Sequence, residues 1–394
     1  MDFDYTDEQL ELREKLRSEL DAVMTPERQA AMENRLEGGP AVKECQRALG
    51  DANLLAVSWP EEYGGRGFSA IEQYLFSNEA KRVNAPIPMI TLNTVGPTLM
   101  QFGSQQQKDF FLPKIRQGEL DFAVGYSEPG AGSDLAALRT TAVRDGDEWV
   151  INGSKMWTSG AEFADYVWLA ARTDPTLKKH KGLSLFIVPT SAPGFSWKPL
   201  RTMPGVQTYY TFYDDVRIPA ENLVHEVNGG WALITAQLNL ERAALGNLGA
   251  IEPLWEKTLD WARTTSHGGG KVIDEPWVQS TLARVEAEIA AYKLLNLRVN
   301  ASIGSGGLGM AQASAAKVFG TELVQKVARE LLEVVGANGI RAGANAPLRG
   351  ALETAYRQAV ITTFGGGANE VQRDIIAMAG LGMPRAPRDT SSKK

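Results

Sequence analysis

The chain contains one cysteine, Cys45, and three scattered histidines, His180, His225 and His267, among 394 residues. A lone thiol cannot close an internal disulfide, so a reducing compartment fits, and so few soft ligands argue against a zinc or haem centre. No apolar run approaches the roughly 18 residues that a membrane helix needs. The N-terminal MDFDYTDEQLELREKLRSEL is acidic and amphipathic, without the basic start and apolar stretch of an export signal. Positive charge is in short supply as well. Lys and Arg number 41 against 47 Asp and Glu, a net charge of −6, which speaks against a nucleic-acid partner. What is present is ordinary globular composition, 43% hydrophobic and 22% charged, and a length that suggests two or three domains of about 150 residues each. The expectation is a cytoplasmic protein without membrane, nucleic-acid or metal chemistry.

The order of patterns predicts an α+β multi-domain architecture. From Tyr5 to about Glu119 apolar residues recur at helical spacing, as in Leu10, Leu12, Leu16 and Leu20, and Thr6 with Glu8 and Gln9 has the form of a capped helix start. Near Asp121 the character changes to short β-branched and aromatic runs, with Asp145-Gly146-Asp147 a strong hairpin signal between two of them. From about Asn228 long helical segments return. The predicted domains are 1–119 helical, 120–223 antiparallel β and 224–384 a helical bundle, with residues 385–394 a disordered tail.

Four clusters can carry chemistry. In Gly125-Tyr126-Ser127-Glu128-Pro129-Gly130-Ala131-Gly132-Ser133-Asp134 the spaced glycines let backbone approach a bulky ligand and turn N–H groups toward phosphate. The alternative there is a plain glycine-rich turn. In Lys155-Met156-Trp157-Thr158-Ser159-Gly160 an aromatic face and hydroxyls suit a planar heterocycle, or else Trp157 is a core residue of the β domain. Glu241 stands in the stripe Ile234, Leu238, Glu241, Leu245, Leu248. A carboxylate there is either one half of a buried ion pair or a base strengthened by burial, and Arg242, about 100° round the helix, cannot pair with it by adjacency. Finally, Phe364-Gly365-Gly366-Gly367-Ala368-Asn369-Glu370-Val371-Gln372-Arg373, with three consecutive glycines between helices, reads as backbone pressed on a ligand, as a tight crossing or as a flexible loop.

Taken in order, GYSEPGAGSD, INGSKMWTSG, QLNLERAALG and FGGGANEVQR resemble the acyl-CoA dehydrogenase family over almost the whole chain. The resemblance implies a helix–β–helix flavoenzyme that holds FAD and oxidises an acyl-CoA thioester between its α and β carbons. It implies that Val124, Tyr126, Ser127, Ser133, Trp157, Thr158 and Ser159 contact the flavin or its pyrophosphate, and that Asn369 and Glu370 lie near the adenosine half. Ser133 and Arg242 match CoA contacts, and a backbone N–H near Gly366 would polarise the thioester carbonyl. Most of the family carries its base in the loop before Gln-x-Gln-Arg, and here that position is Gly366. A smaller group carries it on the preceding helix in a Leu-x-x-Glu-Arg setting, which Leu238–Arg242 matches. The resemblance thus implies Glu241 as the α-proton base, with the β hydrogen leaving as hydride to flavin N5 and an electron-transferring flavoprotein as final acceptor.

Two segments through which family members complete a neighbouring subunit's FAD site depart from pattern. Where Arg-x-x-Phe-Gly is usual, Thr265 or a near neighbour stands for Arg and no Phe follows; where Gln-x-x-Gly-Gly-x-Gly is usual, Glu333 replaces Gln. The chain therefore resembles the catalytic subunit of heterotetrameric (α2β2) actinobacterial enzymes of steroid side-chain degradation, in which a second dehydrogenase-like subunit completes the site. A homotetrameric branched- or long-chain fatty acyl-CoA dehydrogenase, or a non-catalytic partner subunit, are the alternatives.

Overall fold

The computed structural model describes residues 5–32, 38–203, 205, 207–244, 251–304 and 309–385, with side chains 238–244 and 303–304 outside that description. The tail beyond 385, and Leu245 and Leu248 of the apolar stripe, also fall outside it. The chain forms two compact units, Met1–Ala244 and Leu245–Lys394.

The first unit begins with α1 (Asp7–Val23), α2 (Pro26–Ala31), α3 (Pro40–Asp51), α4 (Ala70–Arg82), α5 (Gly96–Phe102) and α6 (Gln105–Arg116). The expected cap is present: the Gln9 amide donates to Thr6 Oγ1 at 3.3 Å, and Thr6 N–H donates to Gln9 Oε1 at 3.1 Å. Ser104 and Gln107 repeat the device on α6. Gln107 Nε2 then donates to the Glu221 and Leu223 carbonyls at 2.7 and 2.9 Å, fastening this helix to the end of the sheet region.

Eight strands follow: β1 (Phe122–Gly125), β2 (Thr141–Asp145), β3 (Glu148–Lys155), β4 (Tyr166–Arg172), β5 (Leu183–Pro189), β6 (Phe195–Arg201), β7 (Gln207–Pro219) and β8 (Leu223–Val224). The order across the sheet is β6-β7-β3-β2-β4-β5-β8, with β1 added beside β4. The predicted hairpin joins β2 to β3, pairing Asp145 with Glu148, and Gly146 takes the positive φ of +60° that such a turn requires. The all-antiparallel expectation needs one correction, because β1 and β2 both run parallel to β4. Each reaches β4 through a long connection, and local strand patterning carries no information about such pairings.

Strand β4 explains where the core sits. Val167, Trp168, Leu169, Ala170 and Ala171 are all fully buried, the continuous apolar run expected of a strand covered on both faces. Trp168 and Ala170 pack with the helical core around Leu16, Leu20 and Leu99, whereas Val167, Leu169 and Ala171 pack with Trp149, Phe186 and Val216 of the sheet's inner face. Helix α7 (Gly230–Ala244) joins the helical side through Leu233 and Ile234.

The second unit consists of α8 (Ile251–Thr264), a short hairpin of β9 (Ser266–His267) and β10 (Gly270–Lys271), then α9 (Pro276–Gly304), α10 (Met310–Val335), α11 (Ala351–Ala359) and α12 (Asn369–Ile375). Its core runs through Leu254, Leu282, Ile289, Tyr292, Val327 and Leu331. On α10, Gly320 admits the buried Tyr292, since a Cβ there would stand 1.8 Å from the phenol oxygen. Overpacking at a rigid aromatic costs roughly 1–3 kcal/mol, and Ala recovers only about 1 kcal/mol of helix propensity. Gly320→Ala is therefore expected to lower the urea midpoint of unfolding rather than raise it.

Candidate functional site

Strand β1 delivers its chain into the first glycine cluster. Glu128 and Ala131 exchange two backbone hydrogen bonds of 3.0 Å, closing a tight turn with Pro129 and Gly130 at its exposed apex. At Gly130 and Gly132 an added Cβ would meet nothing within 4 Å, so packing inside the chain does not require glycine at either position.

The turn rests on a buried ion pair. Lys155, at the end of β3, is fully buried, and its Nζ donates to Glu128 Oε1 at 2.9 Å and to the Tyr126 carbonyl at 3.1 Å. The Glu128 carboxylate also accepts the Arg139 and Thr140 amides at 2.6 and 2.8 Å. Burial pushes the Glu128 carboxyl upward, but the Lys155 ammonium and the Thr140 amide outweigh it and leave it below its usual value. Burial pulls Lys155 down to about 8, because the Glu128 charge repays only part of the lost hydration.

One residue past Lys155 the two sequence clusters meet directly: Met156 N–H donates to the Ser127 carbonyl at 2.9 Å. Trp157 follows with a left-handed φ of 62° and 52% of its surface exposed. A bulky residue in that region is strained and is held by its surroundings. Here Thr158 provides the anchor, fully buried, with its N–H on the Tyr209 carbonyl at 3.1 Å and its Oγ1 3.3 Å from Thr211 Oγ1. Ser159 is exposed, its hydroxyl 3.0 Å from Thr208 Oγ1. Ser127 is half-buried and Ser133 exposed, and among the described residues neither hydroxyl has a hydrogen-bond partner. An exposed indole, uncommitted hydroxyls and glycines with open space fit a planar heterocycle that carries phosphate.

Val124 is half-buried on β1. Tyr126 reaches the other way: its hydroxyl donates to Gln237 Oε1 on α7 and accepts from Trp168 Nε1 at 3.1 Å. Glu241 and Arg242 lie on α7 in the same unit, while their side chains are outside the described residues.

The remaining candidates belong to the second unit. Gly366 and Gly367 take φ of 65° and 113° on the way into α12. Their loop is tied down by the buried Lys317 of α10, whose Nζ donates to the Gly367 carbonyl at 2.6 Å and to Asn369 Oδ1 at 2.7 Å. Asn369 is itself buried and donates to Thr321 Oγ1 and Glu322 Oε1, each at 3.1 Å. Glu370 is exposed. Glu333 lines a cavity of about 640 Å³ with Arg329, Gly336, Ile340, Tyr356 and the ion pair Glu353–Arg357. Among the described residues no group of His, Cys, Asp and Glu could hold a metal ion, and no helix is long and apolar enough to cross a membrane.

Sequence reasoning missed Glu128, Lys155, Gln237 and Lys317. For Lys155 a signal existed, since alternation along β3 puts it on the inward face of Trp149 and Ile151. For Lys317 and Gln237 the partners are 52 and 139 residues away, beyond any local pattern.

Comparison with known proteins adds three family-model matches: the acyl-CoA dehydrogenase N-terminal domain over residues 6–119, the middle domain over 123–216 and the C-terminal domain over 228–381. Acyl-CoA dehydrogenase FadE26 of Mycobacterium tuberculosis is 51% identical over 402 aligned positions, covering 98% of this chain and 100% of that protein. Among solved structures, the ChsE4–ChsE5 complex from Mycobacterium tuberculosis matches with a TM-score of 0.92 at 51% identity, over 98% of this chain and 100% of the other. The Tcur3481–Tcur3483 steroid ACAD matches with a TM-score of 0.91 at 47% identity, over 98% and 100% of the two chains.

Proposed function

The chain belongs to the acyl-CoA dehydrogenase family and is an acyl-CoA dehydrogenase, and on that premise we propose that it oxidises bulky acyl-CoA thioesters of the steroid side-chain type with bound FAD and Glu241 as base. The observation that carries this reading is the direct junction of the two flavin-type motifs, Met156 N–H on the Ser127 carbonyl, above the Lys155–Glu128 pair. We assign FAD to Val124, Tyr126, Ser127, Ser133, Trp157 and Ser159, with the buried Thr158 anchoring Trp157 and Ser159 rather than touching the cofactor, and with Asn369 and Glu370 toward the adenosine. Bound there, FAD supplies the acceptor for the hydride that leaves the β-carbon.

The chain's own residues do the rest. Glu241 removes the α-proton, which the thioester carbonyl acidifies, and a backbone N–H near Gly366 is assigned to polarising that carbonyl. Arg242 and Ser133 are assigned to the CoA. Support for the base comes from position: Gly230, Leu233, Ile234 and Gln237 are the buried face of α7, and residue 241 follows Gln237 by four, on the same face. At the loop position where most of the family has Glu, this chain has Gly366 at a left-handed φ. The domain limits 1–119, 120–223 and 224–384, and a cytoplasmic location, remain part of this reading.

A second, dehydrogenase-like subunit in an α2β2 assembly completes the proposal, with an electron-transferring flavoprotein taking the electrons. Both solved neighbours are named as two-component complexes, and the ligand-facing Gln expected in the second unit is Glu333 here, a charge that would repel a pyrophosphate. The second unit also exposes large apolar side chains, among them Phe319, Phe364, Val371 and Leu381, as a surface made to be covered does.

Co-expression with the neighbouring dehydrogenase-like subunit tests the assembly and the activity together. The expected product is a yellow complex with fewer flavins than chains, bleached anaerobically by a steroid side-chain CoA. Full flavin occupancy and turnover by this chain alone would refute the heteromer. A flavin that no acyl-CoA bleaches would refute the dehydrogenase reading.

A further inference from the structure

Four buried or half-buried polar side chains form a hydrogen-bonded relay through the first unit, and three of them, Trp168, Gln237 and Thr98, have no part in the reaction as described. Trp168 Nε1 donates to the Tyr126 hydroxyl at 3.1 Å, the Tyr126 hydroxyl donates to Gln237 Oε1, Gln237 Nε2 donates to Thr98 Oγ1 at 2.9 Å, and Thr98 Oγ1 donates to the Thr94 carbonyl at 2.7 Å. Its direction is set from the Thr94 end. A backbone carbonyl can only accept, so Thr98 spends its proton there and receives one from Gln237 Nε2, which leaves Gln237 Oε1 to accept from the Tyr126 hydroxyl. The middle residue has to accept on one side and donate on the other, which a primary amide does and a carboxylate or an aliphatic chain does not. Gln237 and Thr98 are both buried.

The relay connects elements that the proposed chemistry needs held together. Tyr126 belongs to the segment assigned to the flavin edge, one residue before Ser127. Gln237 is on α7, one helical turn, about 6 Å, ahead of position 241 and on the same face. Thr98 on α5 and Trp168 on β4 fix the relay from the helical core and from the sheet.

We propose that Gln237 is a positioning residue: its amide, held between Tyr126 and Thr98, sets the rotation and height of α7 against the Tyr126–Ser127 segment and thereby where residue 241 meets the substrate. The inference rests on the reading of Glu241 as base. Small displacements of a reacting group cost rate far more than binding, on the order of 10²-fold per ångström.

The test uses the co-expressed complex and three variants, Gln237→Met, Tyr126→Phe and the double variant, beside Glu241→Gln. Gln237→Met keeps the side-chain length without the amide, and Tyr126→Phe removes one oxygen, so one can be read if the other folds poorly. Each single variant is expected to slow anaerobic flavin reduction by acyl-CoA roughly 10- to 100-fold. In Gln237→Met flavin content should stay unchanged; in both singles, with rates taken per bound flavin, KM should move less than about threefold and the kinetic isotope effect with α-deuterated substrate should rise. The double variant should lose clearly less than the product of the two single losses, because both remove the Tyr126–Gln237 hydrogen bond. Wild-type reduction rates in both singles, a loss confined to KM, or additive losses in the double would overturn the inference, provided Glu241→Gln is inactive in the same assay. An active Glu241→Gln would instead remove the reading beneath it.

Discussion

Glu241→Gln is expected to leave FAD bound and to lower acyl-CoA dehydrogenation by at least about 10³-fold, within the range that a positioned general base contributes. The substitution keeps the shape of the side chain and removes only its capacity to take a proton. The cofactor segment is held by the sheet: Met156 N–H bonds the Ser127 carbonyl, and Thr158 bonds Tyr209 and Thr211 of β7. The loop that carries the base in most of the family offers no substitute, because Gly366 and its neighbours Gly365 and Gly367 have no side chains. A drop of that size with an unchanged flavin spectrum separates a lost base from a lost cofactor site. Anaerobic bleaching by a panel of acyl-CoAs, steroid ones included, measures it.

Lys155→Met is expected to destabilise the first unit by about 3–5 kcal/mol, the cost of leaving a buried partner charge uncompensated. Glu128 would keep its two amide donors from Arg139 and Thr140 but lose the ammonium 2.9 Å away. The pH dependence identifies the cause. In the wild type the folded Glu128 carboxyl sits below the usual 4.5, so it contributes stability above about that pH and loses it as pH falls through the folded value. In the variant desolvation is the largest remaining influence, opposed only by the amide donors, and the carboxyl is expected to rise above its unfolded value. The folded state then binds the proton more tightly, and the variant loses stability as pH rises. The gap between the two proteins should therefore be widest near neutral pH and narrow toward pH 5, by urea unfolding. Because Lys155 also holds the Tyr126 carbonyl, flavin content should fall with it.

How much could be read from residues alone follows from the range of each interaction. The Thr6 cap and the Asp145-Gly146-Asp147 hairpin are local, and their sequence signals match what forms. The helix–β–helix order was equally legible from periodicity. The parallel pairing of β1 with β4 was not, because it depends on which strand fills the gap left by the β2–β3 hairpin. Within the site, Trp157 was ambiguous between core and ligand; its 52% exposure and its left-handed backbone make it a surface residue held in place. Thr158 was grouped with it as a contact, and the structure places it fully buried beneath, with hydroxyl and N–H both committed to β7. Asn369 similarly sits in a buried network with Lys317 and Thr321. Those networks join residues dozens of positions apart, and only the folded chain brings them together.

Proton removal can be isolated from hydride loss with an acyl-CoA whose β-carbon is replaced by sulfur, since such a thioester can yield its α-proton but has no β-hydrogen to give. In D2O the wild-type complex should exchange the α-hydrogen of this analogue, and Glu241→Gln should do so at least about 10³-fold more slowly. Exchange at the wild-type rate in the variant would place the base elsewhere and contradict the account.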